Sequence, residues 1–195
     1  MGRIRHTLAL FAAAALGLAA GLAAEAPAIG ADAPEIKLTT LDGKPFLLSE
    51  AARSRNAVVV MFIATKCPYS NAYNDRMRDM ATAYEKQSVL FVGINSNKSE
   101  PAEEVAAHAK QHGLAFLLMK DPGNKVADLY DAKHTPEVFV VDRAGKLRYH
   151  GRIDENYENP SRVTSPDLKN ALDALISSKP IARAETKAFG CSIKR

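Results

Sequence analysis

The segment Ala57-Val58-Val59-Val60-Met61-Phe62-Ile63 constrains this chain more than any other. A continuous apolar, β-branched run of this kind suits a strand buried on both faces of a sheet. Such a strand needs a covering layer on each side. The run stops at Thr65-Lys66-Cys67-Pro68, and there the period changes. Tyr73, Met77, Met80 and Tyr84 recur at helical spacing, while Asp75, Arg76, Arg78, Asp79, Glu85 and Lys86 face elsewhere. The spacing predicts a helix that begins at the cysteine.

The same alternation continues. Val89 to Ile94 reads as a second buried strand, and Ser99-Glu100-Pro101 opens a helix that runs through His112 and is closed by Gly113. Leu114 to Met119 is a third strand candidate and Asn124 to Ala132 a short helix. Glu137 to Val141 is a fourth strand, joined through Arg143-Ala144-Gly145-Lys146 to Leu147–His150 as a hairpin. Asp42-Gly43, between the extended stretches Glu35–Thr40 and Pro45–Leu48, marks an N-terminal hairpin. A last helix, Ser165 to Ser178, carries Leu168, Leu172, Leu175 and Ile176 on one face, and the tail from Ala182 to Arg195 has no period. The expected fold class is α/β: a central mixed β-sheet with helices on both faces and an N-terminal β-hairpin extension.

Residues 1–24 read as a secretory signal peptide, with Arg3, Arg5 and His6 ahead of an Ala/Leu-rich stretch from Leu8 to Ala24. Pro27 disfavours cleavage after Ala26, so a cut after Ala23 or Ala24 is expected. The stretch is short and Ala/Gly-rich for a bilayer span of ~20 residues, so no stable membrane anchor is expected. Residues 25–34 read as a linker, 35–180 as the folded domain and 181–195 as a C-terminal tail. Removing Arg3 and Arg5 with the leader lowers the formal charge from +4 to +2. With no basic run beyond Lys194-Arg195, nothing in the sequence points to nucleic acid as a partner. An exported protein, periplasmic or secreted, meets an oxidising compartment in which its two cysteines, Cys67 and Cys191, can pair.

A cysteine at a strand-to-helix junction sits where free backbone N–H groups and the helix dipole favour a thiolate. Pro68 fits the first helical position, where its missing N–H costs nothing. His134-Thr135-Pro136 precedes a central strand, and an X-Pro bond can be cis, which suits a tight turn against a neighbouring loop.

The buried strand, the Thr65-Lys66-Cys67-Pro68-Tyr69-Ser70 turn, and Thr135-Pro136 at long range resemble the thioredoxin-like superfamily, with its Cys-x-x-Cys helix tip and cis-proline loop. The N-terminal hairpin and the helix after Lys98 resemble its peroxiredoxin-like branch, the alkyl hydroperoxide reductase/thiol-specific antioxidant or redoxin proteins. Phe62 to Tyr73, together with Phe189-Gly190-Cys191-Ser192-Ile193-Lys194, resembles the peroxiredoxin-like 1 subgroup. The resemblance runs roughly from Ile29 to the C-terminus. It implies a thiol-disulfide oxidoreductase or peroxiredoxin-like antioxidant, without a cofactor, acting on protein or small-molecule thiols and disulfides and reset by an external thiol reductant. Two departures stand out. Val60 and Ala64 occupy the positions where peroxiredoxins carry Pro and Thr or Ser before the reactive cysteine, and Ser70 replaces the second cysteine of the thioredoxin motif, which is where the peroxiredoxin sulfur falls.

Cys67 is then the expected nucleophile and Cys191 its resolving thiol. Thr65, Lys66, Pro68, Tyr69, Ser70, Thr135 and Pro136 are the expected supporting residues. Lys66 and Arg76 either depress the Cys67 thiol or receive an acidic partner, or they are solvated charges. Three other readings stay open. The cysteines could form a structural disulfide, worth up to ~5 kcal/mol for a loop of this size. Cys67, Cys191 and His134 could hold a soft metal such as Cu(I), making the protein a copper or thiol carrier. The protein could also be a redox-inert adaptor of the same fold. His108 and His112 lack a zinc motif and read as an exposed helical face, and His150 as a surface or sheet-packing residue. Tyr73 reads as core and Tyr69 as the aromatic beside the sulfur. Asp154 to Pro160 is a polar loop, either a lid or a connection.

Overall fold

The computed structural model describes residues 26–195, so the leader expected at residues 1–24 lies outside the described residues. Nine strands and six α-helices follow one another among the described residues. The hairpin signalled by Asp42-Gly43 forms from β1 (Lys37–Thr39) and β2 (Pro45–Leu47). It is followed by α1 (Leu48–Ser54), a helix absent from the sequence reading because its apolar stripe is only Leu48 and Ala52.

The central sheet has the order β5-β4-β3-β7-β8. The apolar run forms its middle strand, β3 (Ala57–Phe62). It pairs in parallel with β4 (Val89–Asn95) and antiparallel with β7 (Glu137–Asp142). The edges are β5 (Leu117–Lys120), parallel to β4, and β8 (Leu147–Gly151), antiparallel to β7.

Every β3 residue is buried because side chains of alternating direction enter two separate cores. Val58, Val60 and Phe62 meet Ile36, Phe46, Leu48, Tyr130 and Phe139 on one face. Val59, Met61 and Ile63 meet Tyr73, Met77, Phe91, Leu168 and Leu172 on the other. The second face is covered by α3 (Asn74–Glu85) and α6 (Asp167–Ile176), and the first by α1 and α5 (Lys125–Leu129). Helix α4 (Ala102–His112) lies against β5 and ends at Gly113, whose φ of 62° is the left-handed cap the sequence signalled.

Four expectations need correction. The helix predicted from Pro68 is two helices, α2 (Pro68–Ala72) and α3, separated at Tyr73. The break turns the Tyr73 ring into the core, where its hydroxyl donates to the Asp154 carboxylate at 2.7 Å. The strand expected from Leu114 starts only at Leu117. The helix expected from Asn124 starts one residue later, with the Asp121 carboxylate accepting from the Val126 and Ala127 N–H groups at 3.0 Å. Residues 30–33, read as linker, instead lie along the β7–β8 turn, where Gly30 N–H donates to the Leu147 carbonyl and Leu147 N–H to that of Ala31.

Candidate active site

Cys67 is the N-cap of α2 in extended conformation, and the Ser70 N–H points at its sulfur from 3.4 Å. Pro68 occupies the first helical turn as expected. Because α2 is only five residues long, the local N–H group rather than a long helix dipole supplies the favourable field. The Ser70 hydroxyl accepts from the Ala64 N–H at 3.2 Å and thereby fixes the turn.

The second wall is the proline loop. Thr135-Pro136 is a cis peptide, and the Thr135 carbonyl accepts from the Cys67 thiol at 3.0 Å. The aperiodic tail supplies the third wall. Cys191–Ser192 forms β9, antiparallel to β6 (His134–Thr135), with Thr135 opposite Cys191 and His134 opposite Ser192. Gly190, at φ 148°, permits this approach, since a Cβ there would meet the Thr135 carbonyl oxygen at 2.1 Å. The tail is fastened further by Ile193 N–H to the Lys133 carbonyl at 2.9 Å and by burial of the Ile193 side chain in the first core. Under this tail Cys67 is only 2% exposed.

The two thiols are both free and interact with each other. Burial pushes the Cys67 thiol up. Hydrogen bonds from the Cys191 thiol, the Thr135 hydroxyl and the Ser70 and Cys191 N–H groups outweigh burial and hold Cys67 below its ordinary value. Cys191 goes the other way. Burial, the hydrogen bond to Cys67 and the charge of Cys67 push it up to about 11.

Residues 29–150 match the model of the AhpC/TSA family. The chain belongs to the AhpC/TSA family. It has the thioredoxin-like fold. The thiol-disulfide oxidoreductase ResA of Geobacillus thermodenitrificans is 28% identical over 123 residues, 63% of this chain and 68% of that protein. The chloroplastic peroxiredoxin Q of Sedum lineare is 29% identical over 147 residues, 72% of this chain and 75% of that one. A crystal structure of a hypothetical protein from Sinorhizobium meliloti 1021 superposes with a TM-score of 0.80 at 32% identity, covering 87% of this chain and 96% of that one. At this level of identity the AhpC/TSA relatives support a redox function.

Of the expected supporting residues, Thr65, Lys66, Pro68, Tyr69, Ser70, Thr135 and Pro136 all surround the two sulfurs or the turn that carries Cys67. Lys66 pairs with Glu104 at 2.8 Å, and Arg76 with Asp154 at 2.7 Å, so both basic residues have acidic partners. Hydrogen bonds, rather than either cation, lower the Cys67 thiol. The soft-metal set Cys67, Cys191 and His134 is not assembled. Among the described residues no group of three or more His, Cys, Asp or Glu side chains is placed to hold a metal ion. In the β6–β9 pairing, neighbouring positions point to opposite faces, so His134 leaves the side on which Thr135 and Cys191 meet.

His108 and His112 are half-buried rather than exposed, their rings 4.3 Å apart, with His108 bonded to Asn74 at 3.2 Å. His150 packs in the sheet, stacked on Phe139 at 4.2 Å, with Nε2 2.7 Å from the Glu137 carboxylate. The loop from Asp154 to Pro160 is a fixed connection. Arg76 donates to the Asn156 and Tyr157 carbonyls as well as to Asp154, and this brings the Tyr157 ring to 4.4 Å from Tyr69.

Glu100, Asn97 and Glu137 are site neighbours that the sequence does not mark, and Phe189, part of the Phe189–Lys194 resemblance, gains a role only here. Phe189 completes an aromatic cluster, 6.2 Å from both Tyr69 and Tyr157. Glu137 is buried at the head of an apolar strand and accepts from the Lys133 and His134 N–H groups at 2.7 and 2.9 Å, tightening the turn before Pro136. A lone carboxylate opening the apolar run Val138–Val141 was the available signal.

Proposed function

We propose that the chain is an exported thiol-disulfide oxidoreductase in which Cys67 attacks and Cys191 resolves. The observation that carries this reading is that the Thr135 carbonyl receiving the Cys67 thiol stands directly opposite Cys191 in the β6–β9 pair, and the surroundings there push Cys67 below its ordinary value and Cys191 above it. Environments that drive a coupled pair apart give one member the role of thiolate and the other that of proton-bearing partner.

The Cys67 thiolate attacks one sulfur of a substrate disulfide. That S–S bond breaks, a bond between Cys67 and the substrate forms, and one substrate thiolate leaves. The charge on Cys67, one cause of the raised Cys191 thiol, is then gone, so Cys191 deprotonates more readily once the mixed disulfide exists. The Cys191 thiolate attacks the Cys67 sulfur, forms the Cys67–Cys191 disulfide and releases the second substrate thiolate. Both substrate thiolates take up protons. Two electrons have passed from the protein dithiol to the substrate, and an external dithiol reductant restores the pair. A disulfide is preferred over a peroxide as substrate because Val60, Ala64 and Ser70 depart from the peroxiredoxin pattern.

Tyr69, Tyr157 and Phe189 border the approach to the sulfurs and suit an apolar segment of a protein substrate. Export is supported by the leader pattern at residues 1–24, and no helix among the described residues is long and apolar enough to cross a membrane. The test is thiol trapping across a graded glutathione series with Cys67→Ser and Cys191→Ser as controls. A bridge that forms and titrates well above ~−300 mV supports the dithiol cycle. Thiols that never pair, or a bridge that resists reduction, overturn it.

A further inference from the structure

We infer that Glu100 and Asn97 are positioning residues for the Cys67–Cys191 couple, an inference that rests on the redox reading of that couple. Where β4 leaves the sheet, the chain turns through Asn95, Ser96, Asn97, Lys98, Ser99 and Glu100. Asn95, Ser96, Asn97 and Glu100 are all buried. Burying a polar turn of this kind is costly unless each group finds a partner. Asn95 and Ser96 find theirs in Lys120, Asp121 and Asn124, whereas Glu100 and Asn97 reach the two cysteine-bearing segments.

The Glu100 carboxylate, 1% exposed, accepts from the Thr65 N–H at 2.8 Å and the Lys66 N–H at 3.2 Å, the two residues directly before Cys67. It also accepts from the Asn95 and Asn97 side-chain amides, which fills its lone-pair sites. Burial raises Glu100, and these four donors outweigh it and hold the group below its ordinary carboxylate value. Asn97 continues the chain of bonds. Its Nδ2 donates to Glu100 at 2.9 Å, while its Oδ1 accepts from the Lys194 N–H at 2.7 Å, three residues beyond Cys191. Lys98 N–H returns a bond to the Lys194 carbonyl at 2.9 Å. One continuous set of hydrogen bonds therefore runs from the backbone before Cys67, through Glu100 and Asn97, to the backbone after Cys191. Disulfide geometry tolerates only a narrow range of Cα separations, so a link that fixes both segments against one turn sets how readily the two sulfurs pair.

The experiment measures the equilibrium constant of the Cys67–Cys191 disulfide against glutathione, together with thermal stability, in the full chain and in Asn97→Ala, Glu100→Gln and Leu172→Ala. Leu172, on the buried face of α6 in the second core, belongs to neither segment. It reports what general destabilisation does. The expected result is an effective concentration of the two thiols reduced at least tenfold in Asn97→Ala and Glu100→Gln, and changed less than twofold in Leu172→Ala. A bridge that forms in the parent chain but responds no more to Asn97→Ala and Glu100→Gln than to Leu172→Ala overturns the inference alone. A bridge that never forms in the parent chain overturns the redox reading, and the inference with it.

Discussion

Thr135 and Cys191, remote in sequence, stand directly opposite one another in a two-residue antiparallel pair, and the Thr135 carbonyl also receives the Cys67 thiol. A single backbone position therefore touches both cysteines. The tail that carries Cys191 covers Cys67 and at the same time supplies its partner sulfur.

The two thiols control each other's proton affinity, and the signs follow from which group donates. Cys191→Ala removes one of the hydrogen bonds that lower Cys67, so the Cys67 midpoint moves up. Cys67→Ala removes the thiol bond and the charge that raise Cys191, so the Cys191 midpoint moves down from about 11. Alkylation rate against pH in each single variant reads both midpoints. Shifts in the same direction would show that the thiols do not share a proton.

Gly190→Ala is expected to lift the tail. The added Cβ has no room beside the Thr135 carbonyl, and a φ of 148° is unfavourable for an L side chain. Overpacking of this kind costs about 1–3 kcal/mol. Released tail would expose Cys67, seen as faster alkylation of Cys67 in the absence of denaturant, and would slow formation of the Cys67–Cys191 bridge.

Arg76→Ala leaves the buried Asp154 carboxylate without its cation and frees the carbonyls of Asn156 and Tyr157. Breaking a buried pair from one side costs about 3–5 kcal/mol. Urea unfolding gives the loss directly, and hydrogen exchange should place the earliest opening in the Asp154–Pro160 loop.

Stability should fall on acidification partly through Glu137. Burial raises this group, but the His150 bond and two backbone N–H bonds outweigh burial and hold it below the ordinary carboxylate value of 4.5. A depressed carboxylate contributes stability that is fully present above its unfolded value and is lost as pH falls through its lower folded value. Melting temperatures between pH 6 and about pH 3 should therefore decline less steeply in Glu137→Gln than in the parent chain.

Ser70→Cys places a second thiol one turn after Cys67, where the Ser70 N–H already faces the sulfur. The expected outcome is a bridge between Cys67 and the introduced thiol that competes with Cys191, detected by peptide mapping of the oxidised protein. The substitution also removes the hydroxyl that receives the Ala64 N–H, a bond worth roughly 0.5–1.5 kcal/mol.

The sequence by itself determined the layered α/β plan and one half of the candidate site. Apolar runs such as Ala57–Ile63 specify buried strands locally, and the strand, cysteine, proline and helical stripe from Tyr73 are contiguous, so their relation needs no knowledge of the rest of the chain. Only the tertiary structure decided the other half. The tail from Ala182 has no period because it makes no helix and only the two-residue strand β9; it is held by that short pair with β6, by single backbone bonds, by Gly190 against Thr135, and by Ile193 in a core built from other elements. The roles of Glu100 and Asn97 were hidden for the same reason. A buried carboxylate is identified by donors that arrive from remote segments, and Thr65, Lys66 and Lys194 meet at that turn only after the sheet has formed.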